Sequence, residues 1–293
     1  MPIGDGRSIV EKLIPLPLVA MDLKEELASR TGKPQIAIES LPILNDKIWG
    51  FKEKEIVVVG ARPSQGKSTF ALQLGIDFAN QSIPTWVCSL EMDSISLLER
   101  AYCHVMNEIN TDLQRGDFDR AKFKSFEKYL EEVQLMITHD LGKNWKDILD
   151  SIELMNPQPK VVILDYIQLI RMSKRDTKDS IDEYLSEFKR LAIERSFCGI
   201  ICSQINRGAI TGDNLPSMGM LKSSGAIEEI ADKILLLHWD YFYDKSVHPN
   251  LYKIITAKNR NGATGIHEVI FDFIHYRFKE KKLTDMTEMQ RNN

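Results

Sequence analysis

The chain is predicted to be an α/β protein: a mostly parallel twisted sheet with helices on both faces and a β-hairpin near the C-terminus. Three observations predict this. Short runs such as "VVILD" (161–165) and "GIICSQ" (199–204) are apolar almost throughout, as suits parallel strands covered on both faces. Segments with helical periodicity alternate with these runs, the pattern of a sheet wound with crossover helices. The last two strand candidates are joined by "KNRNGATG", whose Asn261-Gly262 step is a strong turn signal.

The elements follow in order. Residues 1–32 differ from the rest and are read as an N-terminal arm. Pro15 and Pro17 break any early helix. After them "VAMDLKEELASR" sets Val19, Leu23 and Leu27 on one narrow stripe. Such a helix either lies on its own domain or docks on a neighbouring subunit. From Lys33 onward the predicted strands are 55–59, 84–90, 134–138, 160–165, 199–204, 233–238, 252–257 and 266–272. The predicted helices are 67–80, 94–107, 119–132, 144–155 and 180–196. Residues 33–280 therefore read as one large domain, and 281–293 as a polar tail.

Composition narrows the class. The 293 residues are 43% hydrophobic and 27% charged, ordinary for a globular chain. No apolar run approaches the ~20 residues that span a bilayer, and "MPIGDGRSIV" has no secretory pattern. Cys88, Cys103, Cys198 and Cys202 are scattered with no C-x-x-C pair, as expected of a cytoplasmic chain without a zinc site. A net charge of −4 argues against wholesale coating of nucleic acid but leaves room for a local basic channel.

The stretch "GARPSQGKS" (60–68) lies between a predicted strand and a predicted helix. It keeps the spacing of the phosphate-binding loop G-x-x-x-x-G-K-[ST] if the pattern starts at Ala61. Backbone N–H groups and a helix N-terminus then face the phosphates. Gly60, Ala61, Arg62, Pro63, Ser64, Gln65, Gly66, Lys67, Ser68 and Thr69 are the expected nucleotide-binding residues. Lys67 reaches the β- and γ-phosphates and Ser68 serves Mg²⁺. An ATPase needs two further groups at neighbouring strand ends. Asp165, closing "VVILD", suits the Mg²⁺ shell, and Glu91 in "CSLEM" suits activation of the attacking water. Gln204 is a candidate γ-phosphate sensor.

Together, "GARPSQGKS", "CSLEM", "VVILDYIQLI", "SQINRG", "SSGAIEEIADKILLLH" and "AKNRNGATG" resemble, in order and approximate spacing, the ATPase domain of DnaB-type replicative helicases. The resemblance covers roughly residues 33–279. It implies a RecA-like fold and a ring hexamer driven by ATP along single-stranded DNA. By the same resemblance Lys258 and Arg260 match a pair that reaches the ATP of the adjacent subunit. Two apart on an extended segment, they are expected on one side. The resemblance also sets two loops inside the ring. One is "RMSKRDTKD", with Arg171, Lys174 and Arg175. The other is 206–224, with Arg207. Basic loops suit tracking of a phosphate backbone.

Two departures stand out. The family's N-terminal collar is represented by only some thirty residues, as in a truncated or collarless relative, and the arm matches the family's linker helix. In "LKSSG" (221–225), Lys222 and Ser223 replace the family's usual Arg and Glu, while Gly225 is kept. Lys222 retains the charge without the bidentate fork of arginine. Other readings remain: a RecA- or KaiC-like ATPase of recombination or regulation, or a ring-forming module that binds a loader or primase.

Overall fold

Beginning at Ile56, a run of apolar residues forms the centre of a nine-stranded sheet in the computed structural model, which describes residues 16–29, 32–139, 144–165, 167, 178–206, 215–221 and 224–282. The strands are β1 (Ile56–Ala61), β2 (Thr85–Ser89), β3 (Leu135–His139), β4 (Val161–Asp165), β5 (Cys198–Gln204), β6 (Lys233–His238), β7 (Leu251–Asn259), β8 (Gly265–Asp272) and β9 (Arg277–Glu280). Their order is β3-β2-β4-β5-β1-β6-β7-β8-β9. The first six are parallel and the last three antiparallel. The fold class and all eight expected strands are therefore present.

Every residue of β1 and β4 is buried, because both faces of the sheet are covered. Alternate residues of β1 feed two different cores. Val57, Val59 and Ala61 pack with Phe70, Leu74, Phe78 and Tyr252. Ile56 and Val58 pack with Trp86, Leu164, Phe188 and Phe197. Each buried valine, leucine, isoleucine and phenylalanine among them contributes about 1.5–3 kcal/mol by leaving water. A third cluster, around Tyr102 and Phe126, joins the helices Lys67–Asn80, Ser94–Met106 and Arg120–Glu132.

The antiparallel end is longer than the expected hairpin. β9 pairs with β8 and is fixed to the helix Lys67–Asn80 by one side chain. Gln73 Nε2 donates to the Phe278 carbonyl at 2.9 Å, and the Phe278 N–H donates to Gln73 Oε1 at 2.7 Å. A glutamine amide thus pairs with the strand as another backbone would.

The chain divides into two compact units, Met1–Pro34 and Gln35–Asn293. In the first, the helix Leu16–Ser29 begins around Pro17 rather than after it. First-turn N–H groups have no intrahelical partner, so proline costs nothing there. Leu16, Met21, Leu23 and Leu27 of this helix are exposed.

Candidate nucleotide site and interface residues

Strand register gathers the predicted residues at one edge of the sheet. Ala61 lies opposite Gln204, and Ser89 lies opposite Asp165. The carboxyl ends of β1, β2, β4 and β5 therefore coincide, the edge at which open α/β sheets bind ligands.

The loop after β1 turns sharply twice. Ser64 and Gly66 take left-handed backbone, with φ of 62° and 79°. Ser64 is held there despite its Cβ, which marks a strained, over-determined loop. The helix Lys67–Asn80 then starts with Gly66 as its N-cap, without a side-chain cap. Its first N–H groups point at the loop and are left for a ligand. Phe278 stands against the loop, 3.0 Å from where a Cβ on Gly66 would lie.

A cleft of about 450 Å³ opens over this loop. Arg62, Pro63, Ser64, Gly66, Lys67, Ser68, Thr69, Glu91 and Gln204 line it. Gly60, Ala61 and Gln65 are absent from that lining. Gly60 and Ala61 are the last residues of β1, and a Cβ on Gly60 would come within 2.6 Å of both Leu221 and Leu236. Gly60 thus answers to packing. Gln65 is buried, and its Nε2 has no hydrogen-bond partner among the described residues.

Lys67 pairs with the buried carboxylate of Asp165. Burial alone would lower the Lys67 ammonium, but Cys202 and Asp165 act the other way and hold it above the ordinary lysine value. Burial pushes the Cys202 thiol up and keeps it protonated, so the Asp165 carboxylate is the charge that counts. Asp165 sits behind the lysine rather than in the cleft lining. Glu91 is displayed on a short turn. Ser89 Oγ both accepts from Met92 N and donates to Met92 O, each at 2.9 Å. Asp93 then caps the next helix by accepting from Ser96 N at 3.0 Å. The exposed Glu91 carboxylate is carried between these two anchors.

One wall of the cleft is built from residues outside the predicted site. Tyr252, Phe271, Phe273 and Tyr276 line it from the antiparallel end of the sheet, and Arg100 from the helix after Glu91. The Arg100 guanidinium lies 5.1 Å from the Tyr276 ring centre and donates to Thr69 Oγ1 at 3.2 Å. Arg62 lies 5.4 Å from the rings of both Phe242 and Tyr243. Three of these aromatics fall within residues 271–276 and Tyr252 stands apart; they form no motif, and their recurrence around β7–β9 is the only signal.

Lys258 and Arg260 lie at the other edge. β7 runs antiparallel to β6, so Lys258 faces Ile234, which in turn faces Val58 near the start of β1. Val58 is three residues before Ala61, about 10 Å at ~3.3 Å per residue, and β7 lies two strand spacings of about 4.8 Å from β1, so the backbone of the pair is over 10 Å from its own phosphate loop. Lys258 Nζ donates to the Glu228 carbonyl at 2.6 Å. Burial, then Arg260, lowers the Lys258 ammonium. Arg260, 53% exposed, pairs with Asp232 at 3.0 Å.

Of the expected DNA contacts, Arg171, Lys174, Arg175, Arg207, Lys222 and Ser223 lie outside the described residues. Gly225 is exposed on the helix Ser224–Ile230, with nothing within 4 Å of where its Cβ would be.

A family model described as the DnaB-like helicase C terminal domain matches residues 39–280. Among similar proteins, a probable plasmid replicative DNA helicase of Chlamydia psittaci is 29% identical over 71% of this chain and 47% of its own. The replicative DNA helicase DnaB of Leifsonia xyli is 30% identical over 94% and 63%. The replicative DNA helicase DnaC of Bacillus subtilis is 30% identical over 84% and 57%. The chain thus spans about half to two thirds of the length of these relatives. Among solved structures, an isolated ATPase domain superposes with a TM-score of 0.82 at 23% identity, over 92% of this chain and 99% of that one. A DnaB-like replicative helicase, whose structure addresses its interactions with primase, gives 0.82 at 24% identity, over 94% and 70%. These superpositions establish the RecA-like fold of the ATPase neighbours. No helix among the described residues is long and apolar enough to cross a membrane.

Proposed function

Because this chain belongs to the DnaB-like helicase C-terminal domain family, we propose that residues 33–280 are the ATP-driven motor of a replicative DNA helicase. It assembles as a homo-hexameric ring, moves along single-stranded DNA and unwinds the duplex in the cytoplasm of a bacterial or phage-infected cell. Residues 1–32 act as an arm between subunits and 281–293 as a polar tail.

One observation carries the reading. Lys67, Glu91 and Gln204 share a cleft at one edge of the sheet, while Lys258 and Arg260 are at the opposite edge. A finger pair that cannot reach its own cleft serves the cleft of the next subunit. Head-to-tail contacts of this kind make a ring when the rotation between neighbours closes, as a hexamer requires.

The residues divide the work. Lys67 exchanges Asp165 for the β- and γ-phosphates of ATP, and the N–H groups of the loop complete the cradle. The Ser68 hydroxyl and the Asp165 carboxylate are oxygen donors beside the phosphate loop, which fits Mg²⁺; when bound, the ion neutralises charge building on the phosphates. Glu91, on its anchored turn, orients the attacking water and accepts its proton. Gln204, opposite Ala61, hydrogen-bonds the γ-phosphate and passes its loss to the segment behind it. Lys258 and Arg260 of the neighbour meet charge that develops in the transition state, worth about 10³–10⁵ in rate. The aromatic wall with Arg100 suits stacking of the base. Arg171, Lys174, Arg175, Arg207, Lys222, Ser223 and Gly225 follow the DNA backbone without reading sequence. A loader or primase is the expected partner of the assembled ring.

Negative-stain imaging with an ATP analogue and single-stranded DNA, read together with ATPase rates, tests this. Six-membered rings whose ATPase rises with DNA are expected. Monomers unresponsive to DNA would refute it.

A further inference from the structure

Arg260 does not stand alone. Its N–H donates to the Asp232 carbonyl at 2.8 Å, and its guanidinium pairs with the carboxylate of the same residue. Asp232 is itself fixed at every polar point. Its N–H donates to the Ile56 carbonyl at 2.7 Å. Its Oδ2 accepts from the Ile56 N–H at 2.8 Å and from Lys189 Nζ at 2.5 Å. Lys189 in turn donates to the Lys54 carbonyl at 2.9 Å. The Asp232 side chain is only 8% exposed, against 53% for Arg260. Next to it, the buried pair of Lys233 and Glu55, at 2.6 Å, holds Asn261 through Glu55 Oε1 at 3.4 Å.

The arrangement is lopsided. Ile56 and Lys189 occupy one carboxylate oxygen, and the other, Oδ1, faces the half-exposed guanidinium. Arg260 follows the end of a bulged strand, since the β6–β7 register shifts between Ile234 and Leu235, so strand pairing alone does not aim its long side chain. A buried carboxylate tied to the start of the central strand is a rigid reference point. An arginine held from behind by one carboxylate oxygen keeps donors directed outward. It also loses less side-chain freedom when it engages a partner's phosphate.

We infer that Asp232 is the positioning residue for the trans-acting Arg260: it holds the guanidinium at the subunit edge in the orientation that meets the neighbour's ATP. This rests on the reading above that Arg260 acts in trans. Asp232 touches no nucleotide and acts only through the arginine. Displacement of a catalytic group by about 1 Å can cost on the order of 10²-fold in rate, which sets the scale expected.

The test is a cycle of Asp232→Asn, Arg260→Ala and the double variant in the full chain, measured as DNA-stimulated ATPase with thermal midpoints alongside. D232N is expected to lower kcat roughly 10–100-fold, with KM for ATP changed by less than about threefold, because the finger works in the transition state. In the R260A background the same substitution is expected to leave kcat where R260A alone puts it. Additive losses in kcat would overturn the inference while leaving the trans reading intact. Normal kcat for R260A would refute the trans reading itself. Should D232N fail to fold by circular dichroism, Asp232→Ser, which keeps an acceptor for the Ile56 N–H, carries the same expectation. Failure of both to fold would show a purely structural aspartate and overturn the inference.

Discussion

Replacing Gly60 by alanine separates the two glycines of the phosphate-loop stretch. A Cβ at Gly60 would lie 2.6 Å from Leu221 Cδ2 and 2.6 Å from Leu236 Cδ2. Carbon atoms at rest stand about 3.5–4.0 Å apart, so each leucine must retreat by about 1 Å. Both are essentially fully buried, so their retreat must be taken up by packed neighbours. Overpacking of this kind costs about 1–3 kcal/mol. In a domain of this size each kcal/mol lowers the melting midpoint by roughly 2–4 °C, so G60A should melt about 2–12 °C below the natural protein. Nucleotide affinity should hold within about twofold, because Gly60 ends a strand and is not part of the cleft lining. Differential scanning fluorimetry with and without ATP analogue, plus titration of a fluorescent nucleotide, gives both numbers. Unchanged stability with weakened binding would refute the placement of Gly60 and the start of the loop pattern at Ala61.

Other expectations concern the site and its surroundings. Gly66→Ala, within the cleft lining, should lower both stability and nucleotide affinity. A left-handed backbone with a side chain costs about 1–2 kcal/mol, and Phe278 leaves the new methyl only 3.0 Å, so nucleotide affinity in the same titration should fall roughly tenfold. Glu91→Gln should bind ATP normally and lower single-turnover hydrolysis by about 10²–10⁴; unaltered turnover would remove Glu91 from the chemistry. Burial lowers His104 to about 4. Its folded value thus lies below the ordinary histidine value, and the native state loses stability as pH falls from about 7 toward 4. In urea unfolding across that range, His104→Asn should gain on the natural protein as pH decreases; a constant difference would contradict the shift.

How far the sequence could be read follows from where each signal resides. β1, β4 and β5 are visible because burial on both faces demands unbroken apolar runs. The loop is visible because phosphate chemistry fixes Gly66, Lys67 and Ser68 at set spacing. β9 is not legible: "RFKE" is short and mostly charged, and its strand character depends on pairing with the neighbouring β8 and on Gln73 from far along the chain. The helix Pro42–Ile48 is illegible for a similar reason. It is seven residues long and takes its N-terminal acceptor from Glu280, whose Oε1 receives the Ile43 N–H at 2.8 Å. The aromatic wall was illegible because its members meet only when the antiparallel end folds over the cleft. Lys258 and Arg260 could be named from a resemblance, but their distance from their own phosphate loop follows only from strand order.

That distance makes one measurement the most direct test of the account. Arg260→Ala and Lys67→Ala chains, each with ATPase lowered by orders of magnitude, are mixed in equal amounts and assayed for DNA-stimulated ATPase. If finger and phosphate loop come from different subunits, about a quarter of head-to-tail interfaces receive both intact parts, and the mixture should regain roughly that share of natural activity. A mixture no more active than either variant would contradict catalysis shared between subunits.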